Sequence, residues 1–228
     1  MKEFFYMLPP SPLHIISVDS VDSTHLYAKR NLKDINCHTL ISTLEQTNGI
    51  GRRGGVWQTP KGNFAGTFVL NNIRIEQVDI SKLSLVVACS LSSYFKNENF
   101  YDFSIKWPND IYDKAFKAKL GGILIEREDQ ILLISIGLNK ISSPSAPHYP
   151  TTSLKDLKGH QLLKRWNENV LFSYIWQDIQ TFQKSGLEPF INIWEENCGH
   201  MNKKIELFDG RKGIFLGLQK NGDARLSS

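Results

Sequence analysis

The sequence is poor in the features that most readily announce a chemistry. Only three cysteines, Cys37, Cys89 and Cys198, occur in 228 residues, far apart and with no C-x-x-C. That spacing argues against a disulfide framework and against a thiolate zinc site. The six histidines show no metal-ligand spacing either. No apolar run approaches the ~18 residues of a membrane-spanning helix. The N-terminal stretch MKEFFYMLPPSP is too short in apolar residues for a signal peptide and is broken by Pro9 and Pro10. A soluble, reducing, cytoplasmic setting is the expectation. Net charge is only +4, from 27 basic and 23 acidic residues, with no long basic run, so charge does not demand a nucleic-acid partner. There is no G-x-x-x-x-G-K-[ST], which excludes a P-loop protein. Gly49 to Gly54 does match G-x-G-x-x-G, but Gly55, Pro60, Gly62 and a strand follow it. A dinucleotide site needs a helix to begin there, so that reading is rejected.

What is present is an ordinary apolar content, enough for a substantial core. Short strands are expected at 15–18, 39–46, 64–70, 103–107, 123–125 and 131–138, where β-branched and apolar residues cluster. Helices are expected from Asp22-Ser23-Thr24 to about Leu32, over 81–95, over 161–183 and over 187–196. Residues 47–62 and 142–150 read as loops, the latter holding three prolines. From Gly199 the composition shifts to short alternating apolar segments separated by Asp209-Gly210 and Asn221-Gly222, which are hairpin signals. The expected division is a large domain over 1–198 and a small β unit over 199–228. A unit of ~30 residues is too small to fold alone and must lean on the larger one.

The most informative stretch is 106–126, KWPNDIYDKAFKAKLGGILIE. Lys106 and Lys119 lie near Asn109-Asp110, beside Pro108 and Gly121-Gly122, and an apolar strand follows at once. Burying such charges beside a strand is costly unless they meet a charged partner, so the segment reads as built around an anion. The glycine-rich loop brings Arg52 and Arg53, whose forks suit phosphate oxygens, and Trp57, which suits stacking on a flat base. Taken alone, that loop is equally a solvated hairpin loop.

Several segments together resemble the biotin protein ligases. They are Asp22-Ser23-Thr24; Glu45-Gln46-Thr47 with Gly51-Arg52-Arg53-Gly54 and Trp57; Lys106-Trp107-Pro108-Asn109-Asp110; Lys119-Leu120-Gly121-Gly122-Ile123-Leu124; and Ile136-Gly137-Leu138-Asn139. Thr152-Ser153-Leu154 and the terminal β segment are also similar. The likeness runs from about Asp19 to Leu226, and KWPND followed by KLGGIL is its most specific part. The resemblance implies an α+β fold, a mixed sheet with helices packed on it, and a small C-terminal SH3-like barrel. The family's barrel usually continues past the place of Leu226, so barrel contacts to ATP or to the carrier are expected to be missing or truncated. Catalytic segments begin within the first ~25 residues, which leaves no room for three helices of ~10–12 residues that would bind DNA. A short form without repressor activity is expected.

The resemblance further implies the reaction and its residues. Biotin and Mg-ATP (with Mg2+ as cofactor) give biotinyl-5′-AMP, and the acyl group passes to one lysine of a biotin carboxyl carrier domain. Lys119 would bridge the biotin carboxyl and the α-phosphate through both steps. Arg52, Arg53 and the loop backbone would close over the adenylate. Asp110 would steer the incoming lysine and accept its proton. Ser23, Thr24 and Gln46 would hold the ureido end, with Arg52, Gly121 and Gly122 also on the biotin side. Arg53, Trp57, Lys106, Asn109, Lys119 and Asn139 would contact ATP, Trp57 and Asn139 flanking adenine. Lys106 either holds phosphates or orients Asp110. Local readings stand beside these: Ser23 as a helix N-cap, Asn139 as a strand-end cap, Trp107 as core, and Gly121-Gly122 as sites of close backbone approach. His25 reads as a surface helix residue where the family often has Asn, and Ile50 stands where Arg is common. The resemblance implies that the first departure bears on one polar biotin contact and that the second removes one cation from the loop covering the adenylate. Members of the family often form homodimers through the sheet. The competing readings are a lipoyl or octanoyl transferase on a related fold, and a non-catalytic biotin-binding or nucleic-acid-binding module.

Overall fold

Apolar residues at successive positions of the central strands set the layering. Neighbours on a strand point to opposite faces, so a run apolar at every position needs cover on both sides. Leu40, Phe68 and Leu132 enter the main core, while the adjacent Ile41, Val69 and Leu133 enter a second, smaller one. The computed structural model describes residues 12–76, 79–98, 103–145, 149–158, 165–207 and 209–227. The expectation about the N-terminal stretch falls on 1–11, outside the described residues, as do 146–148 of the proline-rich loop and 161–164 of the expected long helix.

Seven strands form one mixed sheet: β1 (His14–Val21), β2 (Thr39–Gln46), β3 (Phe64–Leu70), β4 (Phe103–Lys106), β5 (Asp110–Asp113), β6 (Lys119–Glu128) and β7 (Ile131–Leu138). Their order is β1-β2-β3-β7-β6-β5-β4, with β1 parallel to β2 and the remaining pairs antiparallel. Helix α1 (Thr24–Arg30) covers one face, packing on β2, β3 and β7. Helices α2 (Ile80–Asn97), α4 (Glu168–Ser185) and α5 (Glu188–Glu196) pack on one another, α2 also against β6, around the main core. A short α3 (Leu154–Lys158) follows β7.

Local chemistry explains the boundaries. Helix α4 begins later than its apolar pattern suggests because the Asn167 side chain accepts from Asn169 N and Val170 N, capping the helix there. It ends at Gly186, whose φ of 65° suits a residue without a side chain. Ser23 stands at the start of α1, but its hydroxyl makes no cap bond. Instead Asp22 accepts from Ser23 N at 2.8 Å and pairs with Arg30 at 2.7 and 2.8 Å. The hydrogen bonds from Arg30 pull the Asp22 carboxyl down to a pKa of about 2. Strand β5 lies in a segment whose Pro108, Asn109 and Asp110 hide any strand signal.

The C-terminal residues form a three-stranded antiparallel sheet, β8 (Lys204–Glu206), β9 (Lys212–Leu218) and β10 (Ala224–Leu226), in the order β10-β9-β8. The expected hairpin turns are there, with Gly210 and Gly222 both at φ 85°. The described strands make this sheet and do not themselves amount to a barrel. It leans on the larger unit as expected. Phe215 packs on Trp194, Leu218 N donates to Glu195 Oε1 at 2.7 Å, and Trp107 Nε1 donates to the Gly222 carbonyl at 3.1 Å.

Candidate functional site

The cleft lies on the α1 face of the sheet, where β6 and β7 carry glycines. Antiparallel pairing sets Asp110 opposite Gly122, and across that bare position Lys119 Nζ reaches Asp110 Oδ1 at 2.8 Å. The pair is partly buried, with side chains 13% and 23% exposed. Arg52 comes from the glycine-rich loop and donates to Asn109 Oδ1 at 3.0 Å. Asn109 is fixed in turn, since its Nδ2 donates to the Ile123 carbonyl at 2.8 Å and its carbonyl accepts from Ile123 N at 2.9 Å. Among the described residues lining the cleft, the charges are Arg52 and Lys119 against Asp110, so the cleft carries a net positive charge.

The inner end is polar and buried. Gln46 Oε1 accepts from Thr24 N at 2.9 Å and from Thr24 Oγ1 at 3.3 Å, and Gln46 Nε2 donates to Thr59 Oγ1 at 2.9 Å. Ser23, Thr24 and His25 are each no more than 2% exposed. His25 is therefore no surface residue. The first turn of α1 faces the sheet, and His25 Nδ1 meets Ser135 Oγ at 2.8 Å. Burial holds its pKa below the usual histidine value, which keeps the ring neutral at pH 7.

Trp57 divides the site in two. Its ring lies directly on Gly137, where a Cβ would stand 2.3 Å from Cε2. On the flank of Ser23, Thr24 and Gln46 the open volume is about 70 Å3, far below the several hundred Å3 usual for a small-molecule site. On the other flank a cavity of about 320 Å3 is lined by Trp57, Lys119, Asn139, Tyr149 and Thr151. Lys119 Nζ borders both, 5.7 Å from the Trp57 ring centroid and 5.2 Å from that of Tyr149. One cation thus stands at the junction of two compartments, and a ligand spanning both must displace the indole.

Ser23, Thr24, Gln46, Arg52, Trp57, Asn109, Asp110, Lys119 and Gly122 all come together around the cleft. Gly121 lies beneath, where a Cβ would be 2.7 Å from the Gly137 carbonyl oxygen, so close backbone approach does explain it. At Gly122 a Cβ would meet nothing nearer than 3.5 Å, so it keeps the cleft open rather than letting backbones touch. Asn139 lines the larger cavity, and its Nδ2 donates to the Thr152 carbonyl at 3.1 Å, a local bond of the kind expected of a strand-end residue. Arg53, at φ 55°, faces a separate groove with Lys82, Trp107 and Asn221. Lys106 is exposed and lies in another groove with Phe116 and His200, its Nζ 3.4 Å from Tyr112 Oη. Burial, with Asp110 nearby, pushes the Tyr112 hydroxyl up to about 12. Trp107 packs against the core, as expected.

The sequence reading missed Gly137, Ser135 and Tyr149 as cleft residues. A glycine and a serine inside an otherwise apolar strand were the available signals for the first two; Tyr149, in a proline-rich loop, gave none.

Comparison with known proteins places the chain in a family. Residues 17–140 match the biotin/lipoate A/B protein ligase family. The chain is 28% identical to the biotin–[acetyl-CoA-carboxylase] ligase of Paracoccus denitrificans over 88% of its own length and 89% of that protein's. It is 26% identical to the bifunctional ligase/repressor BirA of Escherichia coli, covering 89% of this chain but 65% of the relative. Among solved structures, the biotin protein ligase of Aquifex aeolicus in complex with biotin and ATP superposes with a TM-score of 0.79 at 26% identity, covering 93% of this chain and 91% of that one. With more than half its length matched and the fold shared, the chain belongs to the biotin/lipoate A/B protein ligase family.

Proposed function

We propose that this chain is an ATP-dependent ligase that condenses biotin with ATP to biotinyl-5′-AMP, releasing pyrophosphate, and then passes the biotinyl group to a lysine of a biotin carboxyl carrier domain. The observation that carries the reading is the position of Lys119, held by Asp110 at 2.8 Å on the border between the polar inner cleft and the larger cavity beyond Trp57. A carboxylate attacking an α-phosphate brings two anions together, and a cation at their junction stabilises the charge that develops.

In the first step the biotin carboxylate oxygen forms the bond to the α-phosphorus and pyrophosphate departs. Lys119 neutralises both reacting anions, and Arg52, anchored on Asn109, closes over the product. Trp57 and Asn139 flank the adenine, and Ser23, Thr24 and Gln46 hold the ureido end. Exclusion of water by the loop protects the mixed anhydride from hydrolysis. In the second step the carrier lysine nitrogen attacks the acyl carbon, the bond to AMP breaks, and Asp110 takes the proton from the amine. Arg53 and Lys106 border neighbouring grooves, so their contact with ATP requires phosphates that extend out of the cleft. Among the described residues no cluster of His, Cys, Asp and Glu could hold a metal alone. Mg2+ fits here as the companion of the ATP phosphates, with Asp110 the carboxylate within reach of the cleft. The C-terminal sheet, read as part of an SH3-like barrel, stands beside the loop and would border the docked carrier. The reading includes a cytoplasmic setting and homodimerisation through the catalytic sheet. Among the described residues no helix is long and apolar enough to cross a membrane.

The test is biotin-dependent ATP–pyrophosphate exchange, followed by label transfer to a carrier domain. Lys119→Ala should abolish both, and near-normal exchange in that variant would show that Lys119 does not bridge the reacting groups. A lipoyl or octanoyl transferase would release no pyrophosphate with biotin and ATP.

A further inference from the structure

A file of buried hydroxyls runs under the inner end of the cleft, and its protons can be counted. Four consecutive contacts join Gln46 to His25: Gln46 Oε1 to Thr24 Oγ1 at 3.3 Å, Thr24 Oγ1 to Thr67 Oγ1 at 2.9 Å, Thr67 Oγ1 to Ser135 Oγ at 2.8 Å, and Ser135 Oγ to His25 Nδ1 at 2.8 Å. The orientation of the Gln46 amide is not free. The backbone N–H of Thr24, 2.9 Å away, must face an oxygen, so Oε1 stands at this end. Each contact needs one proton. Three hydroxyls supply three, and an amide oxygen supplies none. The fourth has to come from His25.

We infer that His25 is a positioning residue whose Nδ1–H donates to Ser135 and so sets the direction of the whole file toward Gln46. Ser135 then donates to Thr67, Thr67 to Thr24, and Thr24 to Gln46 Oε1. With its carbonyl taken by two donors and one amide N–H given to Thr59, Gln46 keeps a single uncommitted N–H among the described residues. That leaves Gln46 a donor toward ligand, suited to a urea or amide carbonyl and unsuited to an N–H. The inference rests on the ligase reading for the identity of that carbonyl, the ureido oxygen of biotin.

The far side of the ring presents the one contact that opposes this tautomer, since a carboxylate oxygen faces Nε2. His25 Nε2 is buried with no hydrogen-bond partner, although Glu126 Oε2 is 3.2 Å away. Glu126 is instead engaged by Lys29 at 2.7 Å, and Lys29 also pairs with Glu128 at 2.8 Å. A proton on Nε2 would have given Glu126 a partner, whereas the proton count requires it on Nδ1. Burial favours the neutral ring over the doubly protonated one that could serve both sides.

The experiment uses the full chain. Nitrogen-15 spectra of histidine-labelled protein at pH 7.5, without biotin, should show His25 protonated at Nδ1 and bare at Nε2. A ring protonated at Nε2 alone overturns the inference. In the exchange assay His25→Ala should raise KM for biotin about tenfold, the effect of one lost buried hydrogen bond, and leave kcat and the KM for ATP within about twofold. His25→Asn places an amide N–H where Nδ1 stood and should restore the biotin KM. An unchanged KM in His25→Ala, or failure of the folded Asn variant to restore it, refutes the positioning role. Should His25→Ala not fold, Ser135→Ala removes the receiving hydroxyl and must raise the biotin KM alone. Absence of exchange in the wild type overturns the ligase reading, and with it the choice of biotin. The tautomer is read independently of either.

Discussion

Replacing Asp110 by Asn removes one charge from the cleft and little volume. That carboxylate holds Lys119 Nζ at 2.8 Å, with the two side chains 23% and 13% exposed. A hydrogen bond to a charged group at such a site contributes about 1.5–3 kcal/mol, and a neutral acceptor in its place about 1 kcal/mol. Incoming anions compete with Asp110 for Lys119, so weakening the pair by about 1 kcal/mol should tighten adenylate binding about fivefold. Asn109 and Arg52 keep their own contact at 3.0 Å, and the loop anchor should survive. The second step should respond in the opposite sense. An amide cannot take the proton from the carrier lysine, and loss of a positioned base slows proton transfer by about 10² or more. The assay measures three rates on one preparation: ATP–pyrophosphate exchange, dissociation of biotinyl-AMP, and single-turnover transfer to a carrier domain. Exchange should persist, dissociation should slow, and transfer should fall about a hundredfold. Equal loss of exchange and transfer would refute the assignment of Asp110 to the second step, and faster dissociation would refute the competition for Lys119.

Other perturbations separate geometry from chemistry. Gly121→Ala sets a methyl 2.7 Å from the Gly137 carbonyl and should destabilise the protein by about 1–3 kcal/mol in urea unfolding. Gly122→Ala meets only ordinary contacts from 3.5 Å outward, near Asp110 and Lys119, and should leave stability unchanged while raising the KM for biotin. In Asp178, burial pushes the carboxyl from 3.8 up to about 6, opposed by the Ser90 hydroxyl that donates to it at 2.7 Å. A pKa raised on folding means stability is complete below the unfolded value and is lost as pH rises through about 6. Asp178→Asn should therefore match the wild type near pH 4 and exceed it by about 1–3 kcal/mol above pH 7, as read from urea unfolding at each pH. An advantage that does not grow between those limits would count against a buried carboxylate there.

Much of this molecule is legible along the chain because its causes are local. Strands β2, β3 and β7 coincide with their apolar runs, and the Gly210 and Gly222 turns follow from their dipeptides. Lys119 and Asp110 could be singled out because buried charge beside a strand demands a partner, Arg52 because its fork suits phosphate oxygens, and Gln46 through the family resemblance. Other features are set by contacts between distant segments. Strand β5 exists because β4 and β6 pair with a sequence of weak strand character, and that pairing, not the spacing along the chain, brings Asp110 to Lys119. His25 is buried because α1 turns that side toward Ser135 on β7, 110 residues away. Trp57 lies on Gly137 because one position on a neighbouring strand carries no side chain. Lys106 sits in the same motif as Asp110, yet its side chain runs to Tyr112 and a groove that Lys119 does not border. Residue type and spacing determined which chemistry the chain can perform. The sheet decided which of those residues share the cleft, because register and facing are properties of paired strands and not of either strand alone.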